Sequence, residues 1–180
     1  MQLTSTDFTG LINQRFISNF RPVPARCQFQ LGEALPAFTL TDVNDDSPHS
    51  LVQYRGQPVV LAFTRIFTEK QYCPFCYPHI LAMQEAYAQF VGLGAAVLMV
   101  TSTDQQQSKI VQQDLALEMP LLPDPSCNTF RQYGTGQALG APLPAQFVLD
   151  ANGQLRFQHL FSFIHHNATP ERLLWAVRNL

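Results

Sequence analysis

The sequence predicts an α/β domain with a mixed central sheet and helices on both faces. Three observations predict it. Two continuous apolar runs, "VVLAFT" at Val59–Thr64 and "GAAVLMVTST" from Gly94, are each followed by a helical pattern, as buried parallel strands with crossovers are. Two later runs, "AQFVLD" and "LRFQHL", flank "ANGQ", whose Asn-Gly pair is a strong hairpin turn. The last segment opens with Thr169 as a cap and Pro170 at the first helical position, and Leu173, Leu174 and Val177 line one face.

In chain order, Thr6 to Phe20 comes first. Phe8, Leu11, Ile12, Phe16 and Phe20 recur at spacings of three and four, which predicts an amphipathic helix. Burying each of these side chains contributes about 1.5–3 kcal/mol, so the stripe must pack on its own domain or on a second copy. The two prolines of "RPVPAR" make a stiff break that would hold the helix off the following chain, so a homodimer contact is expected. Residues 1–28 then form a helix and proline-rich linker, and residues 29–180 the main domain. Within it, "AFTLTDV" is a short alternating strand and "PHSLVQYRGQP" a connector. The strand at Val59–Thr64 leads through a cysteine-containing stretch into a helical pattern on Ile80, Met83, Tyr87 and Phe90. The second buried strand is followed by a helix from about Asp104 to Leu117. "MPLLPDPS" holds at most a short edge strand and "CNTFRQYG" a short helix, before the hairpin and the last helix.

Composition narrows the function classes. The chain has 180 residues, 46% apolar and only 13% charged, which fits a packed globular domain and excludes disorder. A net charge of −2 without a basic run gives nucleic-acid binding no electrostatic support. The longest apolar run, "AAVLMV", is too short to span a bilayer, so no membrane span is expected. The opening "MQLTSTDFTG" lacks a secretory signal, so a cytoplasmic protein is expected. Four cysteines are too few for a disulfide scaffold, and in a reducing compartment a C-x-x-C pair reads as redox-active or metal-binding.

That pair, Cys73 and Cys76, lies in "QYCPFCYPHI", between a buried strand and a helix. Free N–H groups at a helix N-terminus favour a thiolate, which makes Cys73 the expected nucleophile. Cys76, one turn on, can resolve a mixed disulfide. Pro74 suits the first turn, whereas Pro78 would kink the helix or delay its start. Two inert buried thiols are the plain alternative. A zinc site needs about four ligands, and Cys27, Cys127, His79 and His165–His166 include no second ligand pair at metal spacing, so neither metal nor cofactor is expected. Cys127 reads as a buried small hydrophobe or a distant resolving thiol, and Cys27 as an accessible, incidental one. "FSFIHH" borders a substrate groove or closes the last helix onto the sheet.

Over Leu31 to Leu180 the chain resembles the thioredoxin-fold superfamily, and more closely the AhpC/TSA redoxin family and its peroxiredoxin-like proteins with a C-P-x-C active site. "LGEALPAFTLTDVN", "LVQYRGQPVVLAF", "CPFC", "PLLPDPSCNTFRQYG" and "PAQFVLDANGQLRFQH" carry the resemblance through their order and spacing. It implies a thioredoxin-like fold and thiol redox chemistry. Two departures stand out. Lys70 occupies the place, three residues before the reactive cysteine, where peroxiredoxins keep Thr or Ser, and Thr68 lies two residues too far back. Pro144 occupies the place of their late arginine, and in "LPAQF" it is similar to the cis-proline that faces the disulfide in other thioredoxin-fold proteins. The resemblance therefore implies thiol–disulfide exchange through Cys73, Cys76 and a cis Leu143–Pro144 bond. A thiol peroxidase acting on hydrogen peroxide or organic hydroperoxides, with Cys73 peroxidatic and Cys76 resolving, is the second reading. A redox-inert interaction module is the third. Tyr72, Phe75, His79, Arg65 and Thr68 are the neighbours expected to bind substrate or tune the thiols, with Arg65 standing in for the missing arginine. Expected partners are a disulfide-bearing protein or a peroxide, and a thiol donor such as thioredoxin or glutathione.

Overall fold

The computed structural model describes residues 5–180. In order the elements are α1 (Gln14–Ser18), β1 (Thr39–Thr41), β2 (Pro48–Ser50), a 3₁₀ turn (Leu51–Tyr54), β3 (Val59–Thr64), β4 (Ile66–Thr68), β5 (Gln71–Tyr72), α2 (Tyr77–Gly92), β6 (Ala96–Thr101), α3 (Gln105–Asp114), β7 (Leu121–Pro123), α4 (Asn128–Gln132), β8 (Gln137–Ala138), β9 (Ala141–Pro142), β10 (Ala145–Leu149), β11 (Leu155–Leu160) and α5 (Pro170–Arg178).

The central sheet runs β11-β10-β3-β6-β7. The strands β3, β6 and β7 are parallel, and the β10–β11 hairpin is antiparallel and joins at β3. This is the mixed α/β sheet that the apolar runs predict. Alternation along β3 divides the core. Val60 and Ala62 face Ile80, Met83 and Phe90 of α2 and Leu173 and Val177 of α5. Val59, Leu61 and Phe63 face Phe130 of α4, Tyr133, and Leu35 and Phe38 of the incoming chain. Thr169 caps α5 by accepting from Arg172 N–H, with Pro170 at its start, as the sequence indicates.

The amino-terminal segment departs from expectation. Thr6–Phe20 is not one helix. Asp7 captures the Thr9 N–H at 2.9 Å, Gly10 turns the chain at φ +76°, and Asn13 accepts from Phe16 N–H at 2.9 Å, so helix begins only at Gln14. Such short polar side chains offer backbone donors a local alternative to helix. The apolar residues consequently do not share one face, and Phe8, Ile12 and Phe20 remain exposed.

Nor do the prolines hold the segment away. It is seated on its own domain, which removes the reason for placing it in a dimer contact. Val23 bridges Gln137, and Gln71 Nε2 donates to the Asp7 carbonyl at 2.9 Å. A Cβ on Gly140 would lie 2.0 Å from the Phe16 ring, and its φ of +89° also favours glycine, so the β8–β9 turn accepts the segment only with glycine there. Arg15 reaches furthest in: its guanidinium donates to the Ile66 carbonyl at 3.4 Å, to the Phe67 carbonyl, and to Ser102 Oγ at 3.0 Å.

Arg15→Ala leaves those carbonyls without their donor, so urea denaturation should register a loss of roughly 1–3 kcal/mol. Arg15→Lys should recover little of it, because one ammonium cannot reproduce the guanidinium fork. A midpoint unchanged by Arg15→Ala would mean that the segment contributes nothing to the domain.

Candidate active site

Strand β3 ends at Thr64, and the chain turns back immediately through β4 and β5, with Ile66 opposite Tyr72. The next residue outward on each strand is Arg65 on one side and Cys73 on the other. The two residues by which "FTEKQYC" exceeds the expected spacing are thus taken up as a tight hairpin. Thr68 Oγ1 accepts from Lys70 N–H at 3.2 Å within it, and Lys70 Nζ leaves the site to pair with exposed Asp7 at 2.6 Å.

Cys73 opens a turn: its carbonyl accepts from both Cys76 N–H and Tyr77 N–H at 3.0 Å. Helix α2 begins at Tyr77 with Cys76 as its cap, so Pro78 delays the helix and Cys73 stands ahead of the first turn rather than in it. Local donors replace the expected helix terminus. The Cys76 thiol, the backbone N–H groups of the turn and the Arg65 guanidinium all favour the Cys73 thiolate. The Cys76 thiol above all, then those N–H groups and Arg65, outweigh burial and lower the Cys73 thiol to about 6. Cys76 is fully buried. Donation to Cys73 and burial hold its thiol well above the usual range, against Arg65, whose own N–H reaches its sulfur. The site is therefore an asymmetric pair, whose surroundings favour the thiolate at Cys73 and the thiol at Cys76.

The remaining predicted residues divide. Arg65 belongs to the site, held by the carbonyls of Ala138 and Leu139 and lying over the Phe67 ring at 4.6 Å. Tyr72 flanks Cys73, buried edge-on against Tyr77 at 5.2 Å, and burial pushes its phenol up to about 12. Phe75 is half exposed and stacks on His166 at 3.7 Å. His79 does not reach Cys76: its Nε2 donates to the Ala168 carbonyl at 2.9 Å, and burial lowers it to about 4.

Pro144 corrects the expectation most plainly. Among the described residues no peptide bond is cis, so Leu143–Pro144 is trans. The Pro144 carbonyl already accepts from Phe161 N–H at 3.3 Å and is not a free edge for an extended substrate. Cys127 is buried and pushed up to about 11 by burial, with its sulfur on Asn19, and exposed Cys27 lies beside Gln158. Neither joins the Cys73–Cys76 pair. Among the described residues one group could hold a cation, Asp42, Asp45 and His49, at the β1–β2 hairpin. It lies away from the cysteines, and its His49 is already engaged by Ser47 and Tyr54.

Two grooves flank the motif. A cleft of about 300 Å³ is lined by Phe8, Leu11, Phe16, Phe67, Pro74 and Leu139. A wider groove runs between Pro74–Phe75 and Ile164–Asn167. "FSFIHH" thus borders a groove, one of its two readings. The part that Phe8, Leu11 and Phe16 play in the first cleft has no signal in the sequence beyond their apolarity. Gln146 and Asn167, which support the motif from behind, also escape sequence reasoning. One polar residue inside the apolar run "AQFVL" is the signal that could have drawn attention to Gln146.

The profile of the AhpC/TSA family matches residues 31–158. Comparison with the curated proteins yields no match. Among solved structures the chain is similar to peroxidoxin BcpB from Mycobacterium tuberculosis, with a TM-score of 0.70 and 19% identity over 85% of this chain and 99% of that one. It is similar to AhpC from Enterococcus faecalis, with a TM-score of 0.71 and 18% identity over 83% and 90% of the two chains. A putative thiol:disulfide interchange protein DsbE from Chlorobium tepidum has a TM-score of 0.64 and 23% identity, over 83% and 99%. These likenesses are of fold: a thioredoxin-like mixed sheet.

Iodoacetamide in limiting amount should label Cys73 ahead of Cys76, with a rate that is half-maximal near pH 6, and Arg65→Ala should raise that midpoint by roughly one unit. Labelling first at Cys76 would reverse the assignment. His79 gives a separate test. Because its folded value lies below its unfolded one, the folded state binds fewer protons between pH 6.5 and 4, and stability falls as pH drops through that window, by about 3 kcal/mol in all. His79→Gln should flatten the denaturation profile there, and an unchanged slope would assign the loss to another group.

Proposed function

The chain belongs to the AhpC/TSA family, and we propose that within its thiol-dependent oxidoreductase chemistry Cys73 and Cys76 act as a peroxidase pair, Cys73 peroxidatic and Cys76 resolving. The observation that carries this reading is the buried Arg65 cation set beside Cys73 by the Ile66–Tyr72 pairing, at a site where only 3% of Cys73 is exposed. A cation fixed beside the thiolate stabilises it and can stabilise the negative charge that develops on a departing oxygen. A sulfur so enclosed favours a small peroxide over a disulfide held in a protein, which must be aligned with the attacking sulfur. The trans Leu143–Pro144 bond and the occupied Pro144 carbonyl take away the substrate edge that would favour exchange.

The chemistry balances with these groups. The Cys73 thiolate attacks the terminal oxygen of the hydroperoxide. An S–O bond forms, the O–O bond breaks, and the departing alkoxide or hydroxide takes one proton from solvent. Cys73 is now a neutral sulfenic acid. The charge that held the Cys76 thiol protonated is gone, while the Arg65 guanidinium and N–H remain, so Cys76 ionises more readily at this stage than before. Its sulfur attacks that of Cys73, a disulfide forms and water leaves. Two thiols from a donor of the thioredoxin or glutathione kind restore the dithiol and become a disulfide themselves.

Cys76→Ser treated with hydrogen peroxide or tert-butyl hydroperoxide should accumulate a sulfenic acid at Cys73, trapped by dimedone and located by mass spectrometry. Cys73→Ser should be inactive. The unmodified protein should be oxidised by peroxide at least about tenfold faster than by an equal concentration of a protein disulfide. Absence of the dimedone adduct together with faster reaction at the protein disulfide would establish exchange instead.

A further inference from the structure

The C-x-x-C turn is anchored from inside the sheet. Gln146 sits in β10 with all its neighbours buried and is itself 0% exposed. A polar side chain so placed needs partners, and it has them on both ends. Its Nε2 donates to Asn167 Oδ1 at 2.9 Å, and its Oε1 accepts from Ala168 N–H at 2.8 Å. Asn167 Nδ2 passes the connection on to the Phe75 carbonyl at 3.0 Å, and the Ala168 carbonyl takes the His79 side chain at 2.9 Å. One buried amide thus fixes the motif at two points, Phe75 between the cysteines and the first turn of α2.

We propose that Gln146 and Asn167 are positioning residues for the Cys73–Cys76 pair: they hold the Phe75–Cys76 peptide, and with it the turn that closes on the Cys73 carbonyl and sets Cys76 beside Cys73. The turn makes such a hold necessary. Phe75 is half exposed and lies ahead of the helix, and the Phe75–Cys76 peptide carries both the carbonyl that Asn167 grips and the Cys76 N–H that closes the turn on the Cys73 carbonyl at 3.0 Å. Rotation of that peptide about its flanking bonds would swing the Cys76 donor away from Cys73. The groups that face Cys73 directly are Cys76 and Arg65, and His79 and His166 stand behind Phe75 rather than against the sulfur. The amide relay therefore acts through donor geometry and adds no charge of its own. This inference rests on the reading of Cys73 as the reactive thiolate, whichever substrate it meets.

Asn167 is the residue to change, because its loop position makes folding of the variants safe. The measurement is the rate of Cys73 alkylation against pH on the reduced full-length protein, with melting temperature followed in parallel. Asn167→Ala and Asn167→Asp both remove the donor to Phe75, and Asn167→Asp keeps the acceptor for Gln146. Each should cut the alkylation rate at pH 6 roughly fivefold, as a one-unit rise from a midpoint near 6 does, while the rate above pH 9 stays at the parent value. Gln146→Leu should shift the midpoint in the same direction. Variant profiles that superimpose on the parent, or that fall equally at all pH values, would overturn the proposal, as would a lower melting temperature with an unmoved midpoint. A parent midpoint near that of a free thiol would instead sink the reading of Cys73 as an activated nucleophile.

Discussion

The site depends on one backbone pairing, Ile66 opposite Tyr72. It reverses the chain directly after the central strand and brings the residue that leaves the sheet, Arg65, beside the residue that enters the motif, Cys73. Without it the guanidinium would sit a hairpin's length from the thiolate in sequence and have no cause to approach it in space. Burying that arginine carries a desolvation cost, offset by carbonyls at Ala138 and Leu139, by the Phe67 ring and by the charge of the neighbouring thiols, while its Nε is buried without a hydrogen-bond partner. The short β8–β9 element that supplies the carbonyls is itself covered by the amino-terminal segment. The electrostatics of the cysteines thus reach outward through three layers of chain.

The same arrangement divides labour between two identical functional groups. Both cysteines lie within the field of Arg65, but Cys73 collects the backbone donors of the turn and Cys76 is enclosed. A proton shared by two thiols settles on the one with fewer donors and less solvent. Sequence order alone does not impose this, since C-x-x-C is nearly symmetric. It follows from a turn that precedes the helix, with both Cys76 and Tyr77 N–H groups closing on the Cys73 carbonyl.

Much of the domain is legible in the sequence because its signals are periodic and local. The apolar runs at Val59 and Ala95, the Asn152-Gly153 turn and the Thr169-Pro170 helix start all predict what is observed. The C-x-x-C pair does precede a helix, but an added hairpin separates it from the central strand and Cys73 stands ahead of the helix's first turn. Three features are not legible, each for a physical reason. The stripe from Phe8 to Phe20 has helical spacing, but Asp7, Gly10 and Asn13 divert the backbone, and periodicity counts side chains without counting competing hydrogen bonds. The extra residues in "FTEKQYC" look like a broken pattern until they close as a hairpin, because pairing of β4 with β5 is set by register and not by composition. Pro144 shares a neighbourhood of residue types with cis-prolines, but isomer choice depends on surroundings that "LPAQF" does not encode. His79 is correctly placed near the motif, yet its partner is 89 residues away, at Ala168.

The seating of the amino-terminal segment bears on how the chain can be cut and recombined. Phe8, Leu11 and Phe16 wall the cleft beside Pro74, and the Ser5–Asp7 backbone is stitched to the β4–β5 hairpin. A chimera joined at the proline-rich stretch, where the sequence invites a boundary, would keep every cysteine and still present a different mouth to its substrate.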